Sequence, residues 1–329
     1  MIQFFGLHLD ADSATVAIIG RDLSTSVVLK TSMVNAVRDA VTGIIEVPTA
    51  EWVRAGCYAL QESYFKLPVP ARKAWGLGLA GPSGWIALDV EFEPLSPLRL
   101  TGDLRIQDDF QKWAEQNQNP ARKVAMILSP KDYFRFVISG GLAADVSTAS
   151  RWGLLLSGRT DWCIDKATEQ GLRLHWLPPA FDAHVMTGFL SEDGIRRTSL
   201  PGGFRLVAGA HEVEAALVAV GDLRDGRLWE ADIEGGRKLY AVALSHTNDV
   251  APPRPWRAVR SAWQGFQLLE REAEVDASEA RAELEAGGFP VTGQARGSGS
   301  PAMGAAVLTA IGSGLIRGWE NYYRNRRTE

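Results

Sequence analysis

The sequence predicts an α/β protein of two related lobes, and three observations carry that expectation. Hairpin, helix and strand patterns recur in both halves of the chain. The length of 329 residues exceeds one ordinary domain of about 100–200 residues. Hydrophobic residues at 46% and charged residues at 22% suit packed cores, which excludes disordered, collagenous and disulfide-stapled chains.

The first twenty residues read as a β-hairpin. Phe5, Leu7 and Leu9 alternate with smaller or polar neighbours, Asp10-Ala11-Asp12-Ser13 breaks the pattern, and Thr15 to Ile19 resumes it with β-branched residues. Trp52, Val53, Cys57, Leu60 and Tyr64 recur at helical spacing, which predicts a helix over about 50–66. Trp75 to Ala80 is a small-residue strand, Gly81-Pro82-Ser83-Gly84 a turn, and Trp85 to Val90 a second strand. A helix over 108–116 follows. Pro201-Gly202-Gly203 punctuates the chain and suggests lobes at 1–202 and 203–329.

After that point Phe204 to Ala208 is strand-like and Glu212 to Val220 helix-like. Arg227 to Ile233 and Lys238 to Leu244 flank Glu234-Gly235-Gly236-Arg237 as a second hairpin. Val250 to Pro255 reads as a linker into a helix carrying Trp256, Val259, Trp263 and Phe266. A helix over 278–286 is stopped by Gly287-Gly288. Gly293 to Ser300 reads as a flexible Gly/Ser connector in preference to a phosphate loop, because no Gly-Lys-Ser/Thr follows. Pro301 to Ile311 is a helix of small residues, suited to close packing or to lying beneath a ligand.

Composition narrows function only by exclusion. With 35 basic against 39 acidic residues, the chain lacks the cationic footprint of a nucleic-acid binder outside the short tail Arg317 to Arg327. Cys57 and Cys163 form no disulfide framework, and His8, His175, His184, His211 and His246 show no metal-ligand spacing. No apolar run reaches 18 residues and the first residues lack the features of a signal peptide, so no membrane partner and a cytoplasmic location are expected.

Several segments, in order, resemble the FGGY carbohydrate kinases, xylulokinase-type members in particular. Ser129-Pro130-Lys131-Asp132-Tyr133-Phe134-Arg135 through Gly140, followed by Ala143 to Ser150, is similar to the family's Leu-Pro-Lys-Asp-Tyr-Leu-Arg stretch and its continuation. Gly78-Leu79-Ala80-Gly81 with Trp85 to Asp89, Asp161-Trp162, Leu177-Pro178-Pro179, Leu200 to Gly203, and Met303 to Leu315 resemble further family segments. The first half is covered nearly throughout and the second only at its ends. The resemblance implies two ribonuclease H-like lobes of the actin-like ATPase type, the second reduced, with Mg·ATP as cofactor and a sugar as partner in the cleft between them.

The resemblance also implies site residues. Glu212, within Ala208-Gly209-Ala210-His211-Glu212, takes the place of the family's catalytic aspartate, and the neighbouring His211 is an alternative base. Equally, Glu212 and Glu214 read as the acidic first turn of a helix. In the first hairpin, one register puts Asp10 on the metal-holding aspartate, with Asp12 in place of a glycine and Ser13 as the phosphate-side hydroxyl. The other register puts His8 there. The simple alternative is an Asx-type turn with no ligand. Gly209 and Gly235 fall at cofactor-side glycines. Around Gly235, however, Glu230, Asp232 and Glu234 stand where hydroxyls and amides should meet phosphates, with Arg237 and Lys238 as partial compensation. Like charges 4 Å apart repel by about 4 kcal/mol at an effective dielectric near 20. On the sugar side, Ser83 and the aromatic rings of Trp85 and Trp152 are candidates, although core burial is the more frequent fate of Trp. Two functions follow: ATP-dependent phosphorylation of a sugar hydroxyl, or a pseudokinase that binds a ligand or partner without transferring phosphate. An apolar face on a reduced lobe is compatible with a homodimer.

Overall fold

The computed structural model describes residues 2–33, 36–69, 72–101, 106–155, 160–221, 226–233, 237–244, 252–262, 266–272, 274–289 and 291–316. A seven-stranded sheet is built on a meander of β1 (Ile2–Leu9), β2 (Ser13–Gly20) and β3 (Thr25–Ser32). Helix α1 (Thr49–Lys66) then carries the chain back so that β4 (Lys73–Gly81) pairs parallel to β1. A long excursion follows, with a small sheet and the helices α2 (Pro130–Ser139) and α3 (Val146–Arg151). The chain returns through β5 (Met186–Phe189), β6 (Arg205–Val207) and β7 (Ala210–His211), the last two parallel to β4. Helix α4 (Glu212–Val220) leaves from that end.

The second sheet repeats the plan. Strands β8 (Arg227–Ile233) and β9 (Arg237–Leu244) form the expected hairpin, and β10 (Arg257–Arg260) and β11 (Gln267–Glu272) extend it in the order β10-β11-β9-β8-β12. Helix α5 (Ala277–Ala286) precedes β12 (Gly293–Gly299), which pairs parallel to β8, and α6 (Pro301–Gly312) ends the described chain. Antiparallel strands, three in the first sheet and four in the second, then a helix and a strand parallel to the first therefore occur twice, which is the ribonuclease H-like plan expected from the sequence. Residues on both sides of position 202 belong to the first sheet, and the change of sheet falls between Gly221 and Arg227.

Helices α4 and α6 lie between the two sheets. Val213, Leu217, Val307 and Leu308 share one buried cluster with Phe4 and Ala80 of the first sheet and Trp229, Ala231 and Leu239 of the second. The small residues of α6 serve close packing. A Cβ on Gly6 would stand 2.0 Å from the Ala302 carbonyl oxygen, and one on Gly304 would stand 1.6 Å from that of Ala215 in α4. Backbone meets backbone there, with no flexible side chain to yield. Gly304→Val is expected to cost about 3 kcal/mol in urea unfolding, the upper range of core overpacking.

Two sequence expectations are corrected. Trp256 and Val259 belong to an edge hairpin, not a helix: Arg257–Arg260 pairs antiparallel with β11, and Trp256 and Val259 enter different cores on opposite faces of the sheet. Trp263 lies outside the described residues. Gly293 to Gly299 is a strand and not a connector, and α4 lies close against Gly297 and Gly299, although not against Gly293. A Cβ on Gly299 would come within 2.2 Å of the Ala216 carbonyl oxygen. Composition signals freedom at those glycines, whereas packing uses them for close approach. No described helix is long and apolar enough to cross a membrane.

Candidate active site

Strands β1, β4 and β7 run parallel and in register, with His8 beside Ala80 and Ala80 beside Ala210. Their carboxyl ends bring Asp10, the Pro82-Ser83 turn and Glu212 to one edge of the sheet, where open α/β sheets bind ligands. Alternation along β1 sends Leu7 and Leu9 into the core behind the sheet. Phe4 goes into the interlobe core, and His8 and Asp10 share that side. Small Ala80 between them lets the His8 ring reach across: its Nε2 stands 3.3 Å from Glu212 Oε2.

Both registers weighed from the sequence thus lead to the same place, because residues 8 and 10 share a face. Glu212 is the first residue of α4, and His211 caps the helix, its Nδ1 3.2 Å from the Val213 amide. The helix-start reading and the site reading hold together. The Glu212 side chain is 20% exposed, open enough to meet a ligand. Asp10 Oδ1 accepts from the Ala11 amide at 2.6 Å, and the Asp10 amide donates to the Ser13 carbonyl at 2.9 Å to close the hairpin. Burial first, and the Glu212 carboxylate second, push the Asp10 carboxyl above its usual range, with His8 acting the other way. Asp12 is exposed and Ser13 buried.

The sign of the Asp10 shift gives a prediction. A carboxyl whose folded pKa is raised lowers stability as pH climbs from the unfolded value of 3.8 through the folded one. Asp10→Asn is therefore expected to melt higher than the parent at neutral pH, with the gap closing in acid below about pH 4. Melting curves across pH 3–8 measure it; equal melting temperatures at neutral pH contradict it.

The segment that leads into Glu212 is clamped from below by the stretch most similar to the family. Ser129 caps α2, and Lys131 Nζ lies 2.6 Å from Asp132 Oδ1, 2.7 Å from Asp145 Oδ2 and 3.3 Å from the Ala208 carbonyl oxygen. Arg135 donates to the carbonyls of Ala143 and Ala208. These charged side chains are 1% exposed or less. Asp145 in turn caps α3 by accepting from the Ser147 and Thr148 amides. Burial opposes ionisation of Asp145, but Lys131 and these hydrogen bonds outweigh it and hold the carboxyl below its usual range. Gly209 sits just after the clamp at φ +75°, where a Cβ would meet the Leu79 carbonyl oxygen at 2.1 Å. Its amide is spent on the Ala183 carbonyl, so its role is close backbone approach, and it has no amide left for a phosphate.

The remaining expected residues divide. Ser83 is at the site edge, its Oγ 3.1 Å from His211 Nε2. Trp85 is fully buried, with its ring against Phe110 and Trp113 and its Nε1 donating to Asp109, so it has no face for a sugar. Trp152 is likewise buried and tilted against Trp162. The expected carboxylate barrier is also corrected for two of its members. Trp229, Ala231 and Ile233 take the interlobe side of β8, so Glu230 and Asp232 project to the other side, paired with Arg296 and Lys238. Glu234 and Gly235 lie outside the described residues.

Among the described residues no group of three His, Cys, Asp or Glu side chains is placed to hold a metal. A magnesium ion fits a sparser arrangement: it takes one or two carboxylates and completes its shell with phosphates and water. Asp10 suits it, since the negative charge crowded there by Glu212 is what a cation would relieve. A groove of about 860 Å³ between α1, α2 and the helix Glu192–Thr198 is lined by residues such as Cys57, Tyr58, Phe136 and Arg197 and contains none of these groups.

No protein-family model matches the chain. The xylulose kinase of Bacillus subtilis (strain 168) is 24% identical over 252 residues, spanning 64% of this chain and 50% of that protein. This chain thus aligns with about half of that relative's length. A solved structure described as a xyloylose kinase from Brucella ovis superposes with a TM-score of 0.81 at 15% identity, covering 99% of this chain and 98% of that one. The xylulose kinase of Rhodospirillum rubrum follows at 0.74 and 16%, over 86% and 67% of the two chains.

Proposed function

We propose that this chain, which is similar to xylulose kinases, is a carbohydrate kinase of the FGGY type that phosphorylates a sugar or related polyol hydroxyl, with Glu212 as the general base. The observation that carries this reading is the meeting of His8, Asp10 and Glu212 at the ends of neighbouring strands. With a proton on Nε2, His8 donates to Glu212 and holds the carboxylate ionised, ready to take a proton from an attacking hydroxyl. Asp10 is the residue to hold magnesium. Bound Mg·ATP supplies the phosphoryl group and the positive charge that offsets its transfer. Ser83 offers a hydroxyl contact beside the base.

A second reading, a ligand-binding pseudokinase, is favoured by one observation. The ring that faces the candidate base belongs to a histidine, so part of its charge is answered within the protein. Calorimetric titration with Mg·ATP, followed by ADP-release assays over pentuloses and hexoses, separates the two. Nucleotide binding with turnover that disappears in Glu212→Ala supports the kinase reading. Absence of binding at millimolar Mg·ATP overturns it in favour of the pseudokinase.

A further inference from the structure

Beside the His8–Glu212 pair runs a second polar chain that crosses from one lobe to the other. It starts at Ser83, whose Oγ is 3.1 Å from His211 Nε2. On the other edge of that ring, Nδ1 lies 3.2 Å from Glu214 Oε2. Arg151, the last residue of α3, meets Glu214 through Nη2 at 2.8 Å and Nε at 3.3 Å. The same guanidinium reaches Glu270 of the second sheet at 2.7 and 2.6 Å, and Arg257 closes on Glu270 from β10. Arg151, Glu214 and Glu270 side chains are 3%, 0% and 4% exposed. The adjacent Ser150 Oγ accepts from the Arg260 amide at 2.7 Å, so α3 is seated on the second sheet at two successive residues.

Charges this deeply buried persist only when paired, and the pairing fixes geometry. At His211 two groups compete for Nδ1: the Glu214 carboxylate, which wants a proton there, and the Val213 amide, which wants a lone pair. The Val213 N–H donates to Nδ1 and Arg151 answers the Glu214 charge, so Nδ1 keeps its lone pair and the ring proton, on Nε2, faces Ser83. Ser83 Oγ then accepts from the ring, and its own proton is what a ligand meets.

We propose that Arg151 is a positioning residue: by gripping Glu214 and Glu270 together, it sets the His211 tautomer and hence the polarity of the Ser83 hydroxyl only while the two lobes are docked. That Ser83 then donates to a substrate oxygen rests on the kinase reading above. The tautomer and the docking do not, so the two can fail separately.

The test is nitrogen-15 NMR of the histidine side chains in the intact chain, assigned with His211→Gln. The parent protein is expected to show His211 as the Nε2–H tautomer; a neutral Nδ1–H ring in the parent overturns the proposal without any variant. Arg151→Gln is expected to switch the ring to Nδ1–H, because the Glu214 charge beside Nδ1 is then unanswered, and an unchanged ring counts against the relay. Glu270→Gln keeps the Glu214 contact but loosens the second lobe: hydrogen exchange of the 257–272 amides should accelerate by about tenfold. Arg151→Lys should restore part of the protection lost in Arg151→Gln, and exchange equal to the parent in both Arg151 variants overturns the docking half.

Discussion

Glu212→Gln is expected to lower kcat by about 10²–10⁴-fold while leaving the melting temperature close to the parent's. The substitution keeps size and hydrogen-bonding capacity and removes only the ability to accept a proton. The side chain is 20% exposed at the first turn of α4, and its named partner is His8, so little packing is lost. Glu212→Asp tests geometry separately from chemistry. It keeps the carboxylate but withdraws it by one methylene, and a displacement of about 1 Å is enough for roughly 10²-fold. Activity of Glu212→Gln equal to the parent's would remove Glu212 from the base role and return attention to His211. The coupled ADP-release assay and a thermal melt on the same samples measure both halves.

Lys131→Met is expected to cost about 3–5 kcal/mol in urea unfolding, because it leaves Asp132 and Asp145 with their shared cation gone. Both carboxylates are buried, at 1% and 0% exposure, and of the two Asp132 keeps Arg135 at 2.9 Å. The clamp on the Ala208 carbonyl weakens as well, so the segment leading to Glu212 should lose hydrogen-exchange protection before the rest of the sheet. The same buried ion pairs predict acid sensitivity. Burial opposes the Glu270 charge, but Arg151 and Arg257 prevail and bring its pKa from 4.5 to about 2. A depressed carboxyl contributes stability above its unfolded value, and that contribution is lost as pH falls through the folded one. Stability should therefore drop between about pH 4.5 and 2 by something on the order of 3 kcal/mol from this residue alone. Flat stability across that window would contradict the pairing of Glu270 with Arg151.

Local elements were legible because their signals are local. Alternation in β1 and β2, helical spacing over about 50–66, the acidic start of α4 and the Gly287 stop of α5 all appear close to where the patterns put them. The failures have one cause. Trp256 and Val259 fit a helical spacing equally well, and only pairing with β11 makes them a strand. Gly297 and Gly299 of β12 read as freedom until α4 lies against them. Trp85 was offered to a sugar, yet the helix Ile106–Gln116 brings Phe110 and Trp113 onto its ring.

The site divides the same way. Glu212 and Asp10 were readable as residues, through their resemblance to a known pattern. That residues 8 and 10 both serve was already implied by the period of two in a strand, although what that face would meet was not. The Arg151 bridge between Glu214 and Glu270 has no sequence signature at all, since its members are 63 and 119 positions apart.

By itself, then, the sequence determined an α/β chain of two repeated units, their hairpins and helices, and the resemblance of its first half to the carbohydrate kinases. The tertiary structure alone decided which side chains share the cleft and which carboxylates turn away from it. Periodicity specifies which face of an element a residue occupies. What that face meets depends on contacts between residues far apart in the chain, which no local pattern encodes.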